Sequence, residues 1–284
     1  MHSLNAILRS LFIIGIQRVN AGSCQIPAVT QALAASAERD ASNASAHSSA
    51  FISACTQGRW NLNDALKYHQ ACWHPGGPTG ASCSDMQILG GYLEGGRTVC
   101  HATKLFSARP CRVVSVGSNG EASFESAVLA MAPHCSIDVL DGTMTGERAS
   151  LVKNLPSAVN FMPVNFDTHS AIRLNYSHVQ ALKIDCEACE YETLIPWVRY
   201  TCTDQIYLEL HTYGCSTRPT STCFESIMKV HQLMSELEPM YAIYYKEPNV
   251  AYGAVHNEFA LIRREPCVTR RRRKVAGIVD RYAG

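Results

Sequence analysis

The residues able to do chemistry fall into three groups. The first is Gly117-Ser118-Asn119-Gly120. It stands between an apolar, β-branched run at 113–116 and a segment in which Phe124, Ala127, Val128 and Met131 recur at helical spacing. The run has strand character and the segment has helical period, so the glycines mark a sharp strand-to-helix turn. Glycine there accepts unusual φ values and lets a ligand touch the backbone. The amides opening the helix then face that ligand, as where a nucleotide-like cofactor sits on an open parallel sheet. The second group is Asp141, which ends the run 137–140 a little over twenty residues past Gly117. A carboxylate there can accept ribose hydroxyls; it can equally cap the next helix. The third group comprises the polar residues that end three later runs: Asn165 and Asp167, then Asp185, Glu187 and Glu190, then Glu209 and His211. A carboxylate and a histidine brought together can remove a proton from a hydroxyl or amine, or hold a metal. Purely structural roles, with Asp185 capping a helix and His211 bonded within the sheet, stay open at this point.

These groups need a scaffold that brings them to one place. Strands are expected at 113–116, 137–140, 159–162, 181–184, 205–210, 240–245 and 259–262, the last two joined by a loop holding Glu247-Pro248-Asn249. Phe224, Ile227, Met228, His231 and Leu237 outline an amphipathic helix. Strand–helix alternation points to an α/β fold with a mainly parallel sheet covered on both faces. Ligands in such sheets bind beyond the carboxyl ends of the strands, where all three groups lie. The stretch 73–98, with Pro75-Gly76-Gly77-Pro78, Gly90-Gly91 and Gly95-Gly96, reads as loop close to that edge.

The chain has 284 residues, long enough to bury a core without staples. With 25 basic and 24 acidic residues, no bulk charge favours nucleic acid. The exception is Arg270-Arg271-Arg272-Arg273-Lys274, in a basic tail over 266–284 expected to be solvated, or to act as a nuclear signal or anionic-surface contact. Residues 1–22 hold Leu11-Phe12-Ile13-Ile14, too short to span a bilayer. They suit a signal peptide cleaved near Val19-Asn20-Ala21, or a targeting segment. An Ala/Ser-rich linker follows over 23–50, and a single catalytic domain over 51–265, opening with a helix at 51–66. Thirteen cysteines and two sequons, at Asn43 and Asn175, favour the secretory pathway or an extracellular location over the cytoplasm or an organelle. Cys186 and Cys189 are the one close pair; without a second pair they are no zinc site, and inert buried thiols are the commoner outcome, with a redox role the alternative. Cys100 and Cys111 flank the first strand of the sheet and can bridge, although spacing alone fixes no pairing.

Taken together, 113–120 with Phe124-Glu125, Leu182-Lys183-Ile184-Asp185-Cys186-Glu187-Ala188-Cys189-Glu190 and Leu208-Glu209-Leu210-His211 resemble the FkbM-type methyltransferases. Gly95-Gly96 with Val99-Cys100, Glu247-Pro248-Asn249 and Glu258-Phe259-Ala260-Leu261-Ile262 resemble the methyltransferase-like branch of animals and algae, so that the likeness covers about 89–264. The resemblance implies a Rossmann-like class I fold of seven strands with an antiparallel last strand. It further implies S-adenosylmethionine as cofactor and methyl transfer, often to oxygen, on a small-molecule or glycan acceptor. Nucleic acid, a transmembrane span and a metal ligand set are not expected. By residue, Gly117, Ser118, Asn119 and Gly120 would cradle the cofactor's methionine part, Asp141 the ribose, and Asp167 would join the cofactor set. Asp185 and Glu187, with His211, would stand at the reaction centre. Two positions depart from the pattern: Ser115 replaces an acid two residues before the first glycine, and Ala188 replaces a glycine. These departures leave a catalytically silent binding protein as the alternative. A nicotinamide dehydrogenase is disfavoured because no G-x-G-x-x-G fingerprint is present.

Overall fold

The computed structural model describes Trp73 and residues 80–91, 95–213, 221–249 and 253–267. The expected leader, Ala/Ser-rich linker, helix at 51–66 and basic run at 270–274 lie outside these residues. Chain order is β1 (Met86–Leu89), β2 (Arg97–Cys100), α1 (Ala102–Phe106), β3 (Arg112–Val116), α2 (Ser123–Met131) and β4 (Ser136–Leu140). A 3-10 segment (Gly146–Asn154) leads to β5 (Val159–Met162), α3 (Ser170–Leu174), β6 (His178–Ile184), α4 (Glu190–Tyr200) and β7 (Cys202–His211). The series ends with α5 (Ser221–Leu237), β8 (Tyr241–Asn249) and β9 (Gly253–Arg263).

Seven strands form one sheet in the order β5-β4-β3-β6-β7-β9-β8. The five from β5 to β7 run parallel, and β9 lies antiparallel between β7 and β8. Alternate side chains along each strand face opposite sides, which makes two cores. Val114, Leu182, Ile206 and Leu208 pack with Leu194, Trp197 and Leu233 of α4 and α5. Val113, Ile137, Ala181 and Tyr207 pack with Phe106 and with Phe124 and Val128 of α2. The helical period expected around Phe224 holds as α5, where Ile227, Val230, Leu233, Met234 and Leu237 are buried; the side chains of Phe224 and His231 lie outside the described ones. Among the described residues no helix is long and apolar enough to cross a membrane.

Strand order reverses at β3: the chain moves outward to β4 and β5, then returns to lay β6 on the other side of β3. The crevice of an open α/β sheet lies at such a reversal, between the ends of β3 and β6.

Three local expectations need correction. Residues expected as loop within 73–98 form the antiparallel hairpin β1–β2, tied to the sheet where Tyr244 Oη donates to Thr98 O (2.7 Å) and Cys100 N to Gln205 Oε1 (3.1 Å). Buried Tyr and Gln side chains supply partners that local glycine content does not reveal. Glu247 to Asn249 continue β8 rather than forming a loop, since pairing with β9 extends to Asn249. Cys100 and Cys111 do not bridge each other. The bridges between described cysteines are Cys83–Cys100, Cys111–Cys135, Cys186–Cys189 and Cys202–Cys267. The second arises because Cys111 precedes β3 and Cys135 precedes β4, and the two strands are paired in register from Arg112 and Ser136. The last closes a loop with sequence separation 65, worth about 4 kcal/mol in the chain-entropy account. Peptide mapping of non-reduced protein is expected to recover Cys111 joined to Cys135; recovery of Cys100 joined to Cys111 would contradict this strand register.

Candidate active site

The carboxyl ends of β3, β4, β6 and β7 and the amino-terminal half of β9 open into one cavity of about 650 Å³, within the usual size of a cofactor site. At the β3 end, Gly117 (φ +74°) is followed by Asn119 (φ +48°) and Gly120 (φ +79°), three left-handed residues in four. A Cβ on Gly117 would stand 1.6 Å from the carbonyl oxygen of Asp185. The glycine therefore serves first to let the ends of β3 and β6 meet, and only then to admit a ligand.

Asp141 is 5% exposed and sits beside this turn. Its Oδ2 accepts from Asn119 N (2.7 Å), and its Oδ1 accepts from Thr143 N (2.9 Å) and Thr143 Oγ1 (2.6 Å). Asp141 thus pins the glycine turn and also lines the cavity; it does not cap the next helical segment, which starts at Gly146 behind Thr145. A carboxylate offers about four acceptor positions, so one remains. The turn's amides are also engaged internally: Gly117 N donates to Leu140 O (3.0 Å) and Gly120 N to Ser118 Oγ (3.3 Å). Arg148 Nη2 donates to Asn119 Oδ1. Val116, Leu140, Val164 and Phe166 give this end of the cavity an apolar wall.

The departure at Ser115 has a structural counterpart. Ser115 Oγ donates to Glu125 Oε1, and Lys183 Nζ lies 3.6 Å from that same oxygen. Glu125 and Lys183 are both fully interior, so neither charge can lose the other without a large penalty. Glu125 stands in the first turn of α2, buried behind the cavity wall rather than among its lining residues.

The other end of the cavity is acidic. His211 (4% exposed) has Asp185 Oδ1 at 3.7 Å, Glu187 Oε2 at 3.6 Å and Glu209 Oε1 at 4.0 Å from Nε2, with Glu190 Oε1 at 3.7 Å from Nδ1. Burial alone would push the His211 pKa down; the acids, Glu190 foremost, outweigh it and raise it to about 9. Glu209 is raised to about 7, chiefly by burial and then by Asp185 beside it. Arg97, reaching in from β2, bridges Asp185 (3.6 Å) and Glu258 (3.4 Å). His256 stacks edge-on against His211 at 4.7 Å between centroids and lies 3.8 Å from Glu209 Oε1.

Of the expected residues, Gly117, Ser118, Asn119, Asp141, Asp185, Glu187 and His211 all line this cavity. Gly120 and Asp167 do not. Gly120 packs on Leu151, where a Cβ would come within 2.9 Å. Asp167 is taken up by Arg173 Nη1 (2.7 Å) and accepts from His169 N (2.9 Å), just ahead of α3. Glu187 is held out on a left-handed pair, Glu187 (φ +56°) and Ala188 (φ +85°), inside the Cys186–Cys189 bridge, and accepts from Tyr213 Oη at 2.6 Å. The expectation of inert thiols at 186 and 189 is thereby corrected: a loop that must turn back on itself within four residues brings the two sulfurs together. Sequence reasoning missed Arg97, Lys183, Glu258 and Asn249 as cavity residues. Arg97 and Asn249 lay in stretches taken for loop, and Lys183 carried only the signal of a charge inside an apolar strand.

The strand order and the crevice at its reversal define a Rossmann-like fold of the methyltransferase type. The family model for a methyltransferase domain matches residues 43–263, and the chain belongs to that family. Its cofactor is S-adenosylmethionine. The cavity fits that group: its volume suffices, Gly117, Ser118 and Asn119 of the turn line it, and Asp141 keeps an open acceptor position. No curated protein matches the sequence. Solved structures with a similar layout include the pre-rRNA processing protein fibrillarin of Methanococcus jannaschii (13% identity, TM-score 0.41, covering 66% of this chain and 86% of that one). Aeropyrum pernix fibrillarin with natively bound S-adenosyl-L-methionine is similar at 13% identity and TM-score 0.39, covering 64% and 85%. An O-methyltransferase family protein of Burkholderia thailandensis is similar at 15% identity and TM-score 0.36, covering 57% and 53%. Likenesses at this level carry no functional weight.

Gly117→Ala is expected to destabilise the fold by about 3 kcal/mol or more, from a strained φ and a backbone collision that forces β3 and β6 apart. Urea unfolding followed by circular dichroism measures it; an unchanged midpoint would show that the two strand ends do not meet there.

Proposed function

We propose that the chain is an S-adenosylmethionine-dependent O-methyltransferase of the FkbM type, acting on a hydroxyl or carboxyl group of a small-molecule or glycan acceptor. One observation carries this reading: a single cavity joins the Gly117–Asp141 end to the Asp185–His211 end. Donor and acceptor can therefore be held against each other, which is most of what methyl transfer requires of a protein. The bound cofactor supplies an electrophilic methyl group on a sulfonium. Ser118 and Asn119 would border its methionine part, and the remaining acceptor position of Asp141 would take one ribose hydroxyl. Val164 and Phe166 offer an apolar surface for the adenine.

For a hydroxyl acceptor, Asp185 takes the proton that the acceptor loses. It is 28% exposed at the end of β6, with Arg97 steadying its other oxygen. His211, whose Nε2 faces Asp185, Glu187 and Glu209, borders the acceptor and helps to place it against Asp185. An end lined by Asp185, Glu187, Glu209 and Glu258 repels a phosphate backbone, which supports an uncharged or cationic acceptor over nucleic acid. The bridges among described residues, together with the exposed sequon at Asn175, support a secretory location.

Calorimetry with S-adenosylhomocysteine tests the reading. Binding with a micromolar Kd is expected, weakened at least tenfold in Asp141→Ala. Absence of binding heat from the folded wild type would overturn the proposal.

A further inference from the structure

We propose that Glu209, His211 and His256 hold a divalent transition-metal ion, of the zinc or manganese class, at the acceptor end of the cavity. One ligand atom from each of these residues lies within 4.8 Å of the other two. The three come from the facing registers of β7 and β9, where Glu209 pairs with Glu258 and His211 with His256. Two rigid, neighbouring strands are the kind of support a metal site needs.

The independent observation is the state of His211. Its side chain is 4% exposed, Nδ1 makes no hydrogen bond, and the nearest acceptors to Nε2 stand at 3.6 Å or more. A buried imidazole ringed by acids that all stop short of hydrogen-bond distance is costly. Around a tetrahedral zinc ion, ligand atoms stand about 3.3 Å apart, so a small contraction of the present spacing would satisfy Nε2 and Glu209 together. Behind the ring, Glu190 faces Nδ1 at 3.7 Å and is itself fixed by Cys186 N at 2.8 Å. Closing that gap to hydrogen-bond distance would give the carboxylate–histidine arrangement that orients metal ligands. Glu209 is steadied in the same way, accepting from Asn249 Nδ2 at 2.8 Å. Two imidazoles and one carboxylate favour zinc or manganese over magnesium or calcium, and leave a coordination position open towards the cavity.

The ion's use in methyl transfer rests on the reading above; its presence does not. An acceptor hydroxyl in the open position would be acidified, and its proton would pass to Asp185, 3.7 Å from His211 Nε2.

The test uses the untagged full chain, stripped with a chelator and titrated calorimetrically with ZnCl2, MnCl2 and MgCl2, with metal content measured after desalting. One zinc or manganese ion per chain is expected, bound at least tenfold more tightly than magnesium. His256→Gln and Glu209→Gln are each expected to weaken it at least tenfold, while S-adenosylhomocysteine affinity, which reports the fold, changes less than about threefold. No stoichiometric ion in a wild type that still binds S-adenosylhomocysteine would overturn the proposal, as would undiminished metal binding in both variants. A wild type that takes up the ion but not S-adenosylhomocysteine would sustain the metal site and sink the methyltransferase reading.

Discussion

The ends of β3 and β6 can meet only because residue 117 has no side chain. The space a Cβ would need is filled by the carbonyl of Asp185. That single close approach sets the distance between the two halves of the cavity. On one side it carries the left-handed turn that Asp141 pins through Asn119 N. On the other it fixes the backbone from which Asp185 and the bridged Cys186–Cys189 loop project. The same atoms that shape the fold thus shape the site, and the glycine's role is packing before it is recognition.

Charge is the second organising constraint. Two ionic groups among the described residues meet the end of β6. One is Ser115–Glu125–Lys183, compact and closed. Its acid, Glu125, lies behind the cavity wall and is answered by Ser115 and Lys183. The other, around His211, is open: its acids stand at 3.6–4.0 Å from the imidazole nitrogens, and it faces the cavity. A closed pair stabilises a fold, whereas an open, unsatisfied cluster on a cavity wall is where a ligand, a proton or an ion gains most from binding.

Much of this was legible beforehand because it is periodic or local. The runs at 113–116, 137–140, 159–162 and 181–184 fall on β3, β4, β5 and β6, and the turn and acid between them fall where ligands bind on such sheets. What escaped was non-local. Arg97 gives no sign, in a glycine-rich stretch, that a hairpin will lay it across Asp185 and Glu258. His256 joins the site only through the antiparallel pairing of β9 with β7, a register set far along the chain. Asp167, by contrast, had every local mark of a site residue, yet its carboxylate is claimed by Arg173 six residues on. The cysteine pairing followed the strand register, which no spacing rule contains.

The most direct test is a crystal structure of the chain with S-adenosylhomocysteine. The account predicts adenosine across the ends of β3 and β4, a ribose hydroxyl on Asp141, and the sulfur pointing along the cavity towards Asp185 and His211. A ligand bound elsewhere, or a ribose with Asp141 turned wholly to Asn119 and Thr143, would contradict it.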